Sequence, residues 1–108
     1  MIYHVTAKFW DETAEEFLTK LSDGTIANQK PDGLEIVASM ARAVVNSVGR
    51  IEWSEMCFCP TPLQHERETV LDHYFDDFEI EEIDAQESFE GRLFMDHLRD
   101  LSKANLVI

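Results

Sequence analysis

The segment Ile51–Thr69, Ile-Glu-Trp-Ser-Glu-Met-Cys-Phe-Cys-Pro-Thr-Pro-Leu-Gln-His-Glu-Arg-Glu-Thr, constrains the fold more than any other. From Arg50 to Cys59, β-branched and aromatic residues alternate with others at the period of a half-buried strand. Pro60 and Pro62 then remove backbone donors that a strand needs, so pairing stops there. Thr61 can cap a helix with Pro62 at its first position. Leu63, Glu66, Val70, Leu71, Tyr74 and Phe75 follow at helical spacing. Strand, break and helix in one short stretch commit the chain to a mixed fold.

Upstream, Asn46-Ser47-Val48-Gly49 has the chemistry of a hairpin turn. With Gly49 left-handed, Asn46 pairs with Arg50 and Val45 opposes Ile51. Leu34–Val45 itself is ambiguous. Its alanines favour a helix, but the hairpin asks for a strand, and the strand is the preferred reading. It sets Ala43 against Trp53, Ala41 against Glu55 and Ser39 against Cys57, small residues against large ones. The other face then carries Met40, Arg42 and Val44 opposite Met56, Ser54 and Glu52.

Ile2–Trp10 alternates as a strand, with Tyr3, Val5, Ala7 and Phe9 on one side and Ile2, His4, Thr6, Lys8 and Trp10 on the other. Asp11 suits the N-cap of a helix whose face is Ala14, Phe17, Leu18 and Leu21, closed by Gly24. Thr25–Gly33 reads as an irregular connection with a turn at Pro31-Asp32-Gly33. Phe78–Ile83 reads as a short strand whose Glu79, Glu81 and Glu82 suit a sheet edge. A last helix is expected from about Ser88 to Lys103, followed by an apolar tail, Ala104–Ile108.

The resulting order, β-α-β-β-α-β plus a C-terminal helix, resembles small ferredoxin-like proteins of the dimeric α+β-barrel kind over residues 1–84. The resemblance lies in element order and face pattern. It implies an α+β fold with an antiparallel sheet and helices on one face. It also implies a homodimer with two sheets packed face to face. The family's members include oxygenases, small isomerase-like enzymes and sensors of small ligands. It assigns no site residue to this chain.

At 108 residues, with 44% hydrophobic residues and eleven aromatics, the chain is expected to be a single domain, 1–108, with a real core. No apolar run approaches the roughly 18 residues of a membrane span, so no membrane partner is expected. Met1–Phe9 contains Tyr3, His4 and Lys8 and lacks signal-peptide character. A cytoplasmic location is the expectation. The formal net charge is -13 and uneven. Through Ser54 there are 5 basic and 8 acidic residues, and from Glu55 onward 4 basic and 14 acidic. Phosphate-backbone binding needs a basic footprint, so it is disfavoured and no nucleic-acid partner is expected. The acidic block reads as solvated surface, with a basic protein partner as the alternative.

Glu55 shares its expected face with Ile51, Trp53 and Cys57. Desolvation there would raise its pKa toward general acid or base use, which makes it the candidate catalytic residue. The favoured reading is nevertheless a slipped register or a bulge that turns it to solvent. Cys57 and Cys59 point to one face, a poor geometry for a mutual disulfide. They are half of a zinc site, but no second pair follows in ligand spacing. Packing is their expected role, and neither a metal nor a cofactor is assigned. His4, Trp10, Arg42 and Cys57 are the candidate ligand-binding residues. The first three would line the second sheet face with Glu52, where Arg42 could clamp a carboxylate.

No phosphate loop, dinucleotide fingerprint or Ser or Cys triad is present. The expected function is therefore a non-catalytic homodimeric interaction protein. Ile2, Trp10, Met40, Val44, Met56 and Phe58 on the second sheet face are the apolar area a homodimer would cover. One alternative is a small-molecule-binding protein or enzyme with a pocket between sheet and helices. Another is an acidic regulator of a basic protein surface.

Overall fold

The computed structural model describes residues 1–106. Strand β1 (Ile2–Phe9) alternates as the sequence predicts, with Tyr3, Val5, Ala7 and Phe9 buried. Asp11 caps nothing: Asp11–Thr13 is a 3-10 turn, and Thr13 Oγ1 donates to the Trp10 carbonyl at 2.7 Å. Helix α1 (Ala14–Ser22) follows and buries Ala14, Phe17 and Leu21.

The preferred reading of Leu34–Val45 is wrong. Gly33–Arg42 is helix α2, and only Val44–Val45 remains as strand β2. Gly33, Ile36, Met40 and Ala43 are buried at spacings of three and four residues, a helical stripe that the alanines reinforce. The turn was read correctly. Asn46 N–H donates to Arg50 O at 2.9 Å, Gly49 has φ 81°, and Val45 pairs with Ile51. The hairpin is simply two residues long on its first arm.

Strand β3 (Ile51–Met56) runs into the Pro60 and Pro62 break, and helix α3 (Gln64–Thr69) starts beyond it. Leu63, Glu66, Val70, Leu71, Tyr74 and Phe75 are all buried, as their spacing predicts. Tyr74 lies past a 3-10 turn (Leu71–His73), and Phe75 already opens strand β4 (Phe75–Ile83), longer than expected. A bulge at Asp77, φ 53°, shifts the β1–β4 register between Thr6 and Lys8 and keeps both Phe75 and Phe78 on the core side. The chain ends in strand β5 (Arg92–Leu93) and helix α4 (Phe94–Leu106). The expected start of that helix at Ser88 is six residues early. The end of the apolar tail, 107–108, lies outside the described residues.

All pairings are antiparallel, and the sheet order is β4-β1-β3-β2-β5. This α+β sheet has five strands rather than the simple four-strand set the sequence suggests. The core fills the space between its inner face and the helices. Phe17 of α1 and Phe94 of α4 meet Phe9 and Phe75 of the sheet, and Phe75 meets Trp53, with Phe9–Phe94 centroids 5.1 Å apart and Trp53–Phe75 5.4 Å. Each such ring contributes about 1.5–3 kcal/mol by leaving water.

The outer face is not bare. To travel from β4 at one edge to β5 at the other, Asp84–Gly91 crosses it as a strap. Ser54 Oγ donates to Gln86 and accepts from the Glu87 N–H at 3.3 Å, and the Phe89 ring stacks on His4 at 4.5 Å. The apolar outer surface expected from the sequence is therefore smaller, with Ile2 and Trp10 half-buried and Met56 and Phe58 still exposed. Met40 is in the core, Val44 is buried, and His4 and Ser54 are strapped over.

Candidate functional site

The end of β3 carries the site. Alternation puts Trp53, Glu55 and Cys57 on the inner face. Glu55 is fully buried. Its Oε1 accepts the Trp53 indole N–H at 2.8 Å, while Oε2 is a buried polar atom with no hydrogen-bond partner among the described residues. Burial pushes the Glu55 carboxyl up to about 8; the Trp53 bond opposes this, and Glu66, Glu35 and Asp32 add to it by repulsion.

Two residues on, the chain folds back over Cys57. Leu63 is buried in the left-handed region, φ 58°, just ahead of α3. A branched residue there costs on the order of 1–3 kcal/mol. This fold-back brings Glu66 of α3 onto both thiols. Cys57 Sγ and Cys59 Sγ each donate to Glu66 Oε2, at 3.4 and 3.5 Å. The Cys59 N–H in turn points at Cys57 Sγ, 3.2 Å away. Both cysteines are free. Burial pushes the Cys57 thiol up to about 12, against the pull of backbone N–H groups of Cys59 and Leu63. Glu66 is 1% exposed, and its hydrogen bonds come from these two thiols. Among the described residues neither Glu55 nor Glu66 forms an ion pair.

Helix α2 supplies the opposite wall. Asp32 precedes it and bonds His65 Nδ1 instead of capping. Glu35 Oε2 accepts from the Met56 N–H at 2.8 Å and from Arg42 at 3.3 Å, which ties α2 to the end of β3. Between the walls lies a cleft of about 330 Å³, lined by Pro31, Asp32, Glu35, Met56, Cys57, Phe58, Cys59 and His65.

Of the residues singled out from sequence, the structure brings Glu55 and Cys57 together and disperses the others. His4 is on the outer face, where Nε2 meets Glu52 at 2.6 Å. Arg42 is not on a sheet face at all: it ends α2 and donates to Ser54 O at 2.9 Å as well as to Glu35. Trp10 lies just past β1 and is absent from the cleft lining. Glu66, Asp32, Glu35 and His65 were missed. Glu66 did leave a signal, a carboxylate in the apolar stripe between Leu63 and Val70.

Compared with protein-family models, with curated proteins and with solved structures, the chain matches none. Fold and site together define a small α+β protein with an acidic, thiol-bearing cleft at the end of its central strand. Among the described residues no helix is long and apolar enough to cross a membrane.

Proposed function

We propose that this protein binds a small organic cation, an amine with an apolar body, in the cleft between α2, α3 and the end of β3. The observation that carries this reading is the cleft's make-up. Pro31, Met56 and Phe58 offer apolar wall, Asp32 and Glu35 bring carboxylates paired with His65 and Arg42, and among the described residues no Lys or Arg is part of the lining. Its volume is at the small end of the roughly 300–1,000 Å³ typical of ligand sites. Glu66 lies buried behind the wall, where low dielectric strengthens its field. Phe58, 83% exposed at the rim, presents a ring face of the kind that attracts cations. No reaction is assigned to Glu55.

The fold reading belongs to the same proposal. With β5 and α4 set aside as an addition, the order β4-β1-β3-β2 fits the split βαβ arrangement of ferredoxin-like proteins. The strap over His4 and Ser54 argues against the face-to-face homodimer of that kind. Two free thiols fit a reducing, cytoplasmic location.

A matched ligand series tests the function. Aryl and alkyl amines are compared with carboxylates of the same body, by thermal shift and by amide resonances. The amines are expected to raise Tm and to move the signals of Asp32 and of Met56 to Cys59. Asp32→Asn is expected to weaken them about tenfold, the worth of one charged contact. Preference for the carboxylates, or no response to any amine at millimolar concentration, defeats the reading.

The interaction-protein reading retains one observation. Phe58 and Met56, the latter 39% exposed, stand together at the cleft rim. On that reading the rim is a contact surface, and a homodimer would bury it.

A further inference from the structure

We propose that Cys57, Cys59 and Glu66 form a binding site for one Zn²⁺ ion, with the fourth coordination position reached from the cleft. The ligand atoms already stand where a metal needs them. The two sulfurs and a Glu66 oxygen all lie within 4.8 Å of one another. A tetrahedral ion with Zn–S of about 2.3 Å and Zn–O of about 2.0 Å has S···O edges of about 3.5 Å. The observed edges are 3.4 and 3.5 Å. Two of the three edges of a coordination-tetrahedron face thus match, and the third, between the sulfurs, is under 4.8 Å.

The surroundings point the same way. A carboxylate as buried as Glu66 is expensive when its partners are two weak S–H donors. Glu55, two residues from Cys57 on the same strand face, adds a second buried carboxyl with an unpartnered oxygen. A divalent cation offsets the cost at Glu66. The Cys59 N–H aimed at Cys57 Sγ is the outer-shell bond that a metal thiolate uses. Two sulfurs select Zn²⁺ over Mg²⁺ or Ca²⁺, which take oxygen ligands. On binding, the two thiols lose their protons to solvent, and the ion forms bonds to two thiolates and one carboxylate. Three negative ligands against two positive charges leave one negative charge, so the cleft stays acidic. Cys57 and Cys59 line the cleft, so water or a cleft ligand can take the fourth position. The site does not depend on the cation reading above, since its ligands face one another across β3 and α3.

The test is titration of the chelator-treated, phosphine-reduced full chain with Co²⁺, with no small molecule present. Expected is one ion per chain, sulfur-to-cobalt charge-transfer absorption, the intense visible bands of four-coordinate Co²⁺, and their bleaching by Zn²⁺. About two protons should be released per ion. Cys57→Ser and Cys59→Ser are each expected to weaken Zn²⁺ at least about 100-fold, more than loss of an outer-shell partner costs. Glu66→Gln should keep the sulfur absorption while binding more weakly, and Glu68→Gln, exposed on the same helix, should change nothing. Circular dichroism of each metal-free variant checks that it folds; for one that does not, the spectrum of the unaltered chain decides. Co²⁺ binding without sulfur absorption, binding by Cys57→Ser at full strength, or no binding at all overturns the proposal.

Discussion

At Glu55 the strand alternation holds, with neither the slipped register nor the bulge that would have turned it to solvent. Its place among Ile51, Trp53 and Cys57 followed from alternation alone, and it is indeed fully buried. A carboxyl raised from 4.5 to about 8 stays protonated in the folded chain while the unfolded chain ionises. The stability linked to it is therefore full below about pH 4.5 and is lost as pH rises to 8, a change of roughly 4 kcal/mol. In chelator-treated protein, Glu55→Gln should match the unaltered chain near pH 5 and exceed it by on the order of 2–4 kcal/mol at pH 8. Urea melts across that range measure it, and a difference that does not grow with pH would refute the account. Glu66 left the same kind of signal, but periodicity tells which side of a helix is buried and not what it meets. The Asp32–His65 bond joins residues far apart in sequence, and nothing local encodes it.

At the scale of elements, the hairpin turn was legible because its chemistry is local: Asn46 and Gly49 do what their conformational preferences dictate. The segment before it departs from the strand expectation because a good turn does not demand a long partner strand. Ala38, Ala41 and the Ile36–Met40 spacing carried the helix, and two residues, Val44 and Val45, sufficed for pairing. That short strand is completed by β5, and Gly91 is where the chain enters it. A Cβ at Gly91, φ 149°, would lie 2.2 Å from Val45 O, whereas one at Gly49 would meet nothing within 4 Å. Gly49→Ala should thus cost about 1 kcal/mol, the price of a left-handed position alone. Gly91→Ala should cost more than about 2 kcal/mol, because backbone must move. Equal losses in denaturant melts would mean that β5 is not held against β2 as described.

For the whole molecule, charge and coverage decide association. The sequence expectation of a homodimer rested on an apolar outer face, but two of its six side chains, Met40 and Val44, are buried, and the strap covers His4 and Ser54 on that face. What remains is half-buried Ile2 and Trp10 and the exposed Met56–Phe58 rim, on a chain of formal net charge -13, apolar area set against considerable repulsion. Light scattering at tens of micromolar should give a mass near 12.5 kDa. A doubled mass that Phe58→Ser abolishes would instead favour the interaction-protein reading. The strap was illegible for a plain reason: Gln86 to Phe89 has no periodicity, and its course is set by where the two sheet edges end. Its path has a consequence for assembly. A belt cannot be drawn across a surface that does not yet exist, so residues from Asp84 onward have nowhere to settle until β1, β3 and β4 lie side by side. The C-terminal quarter of the chain should therefore be the last to arrive and the first to let go. In hydrogen exchange the β5 and α4 amides are expected to open together, at lower free energy than those of β1 and β3.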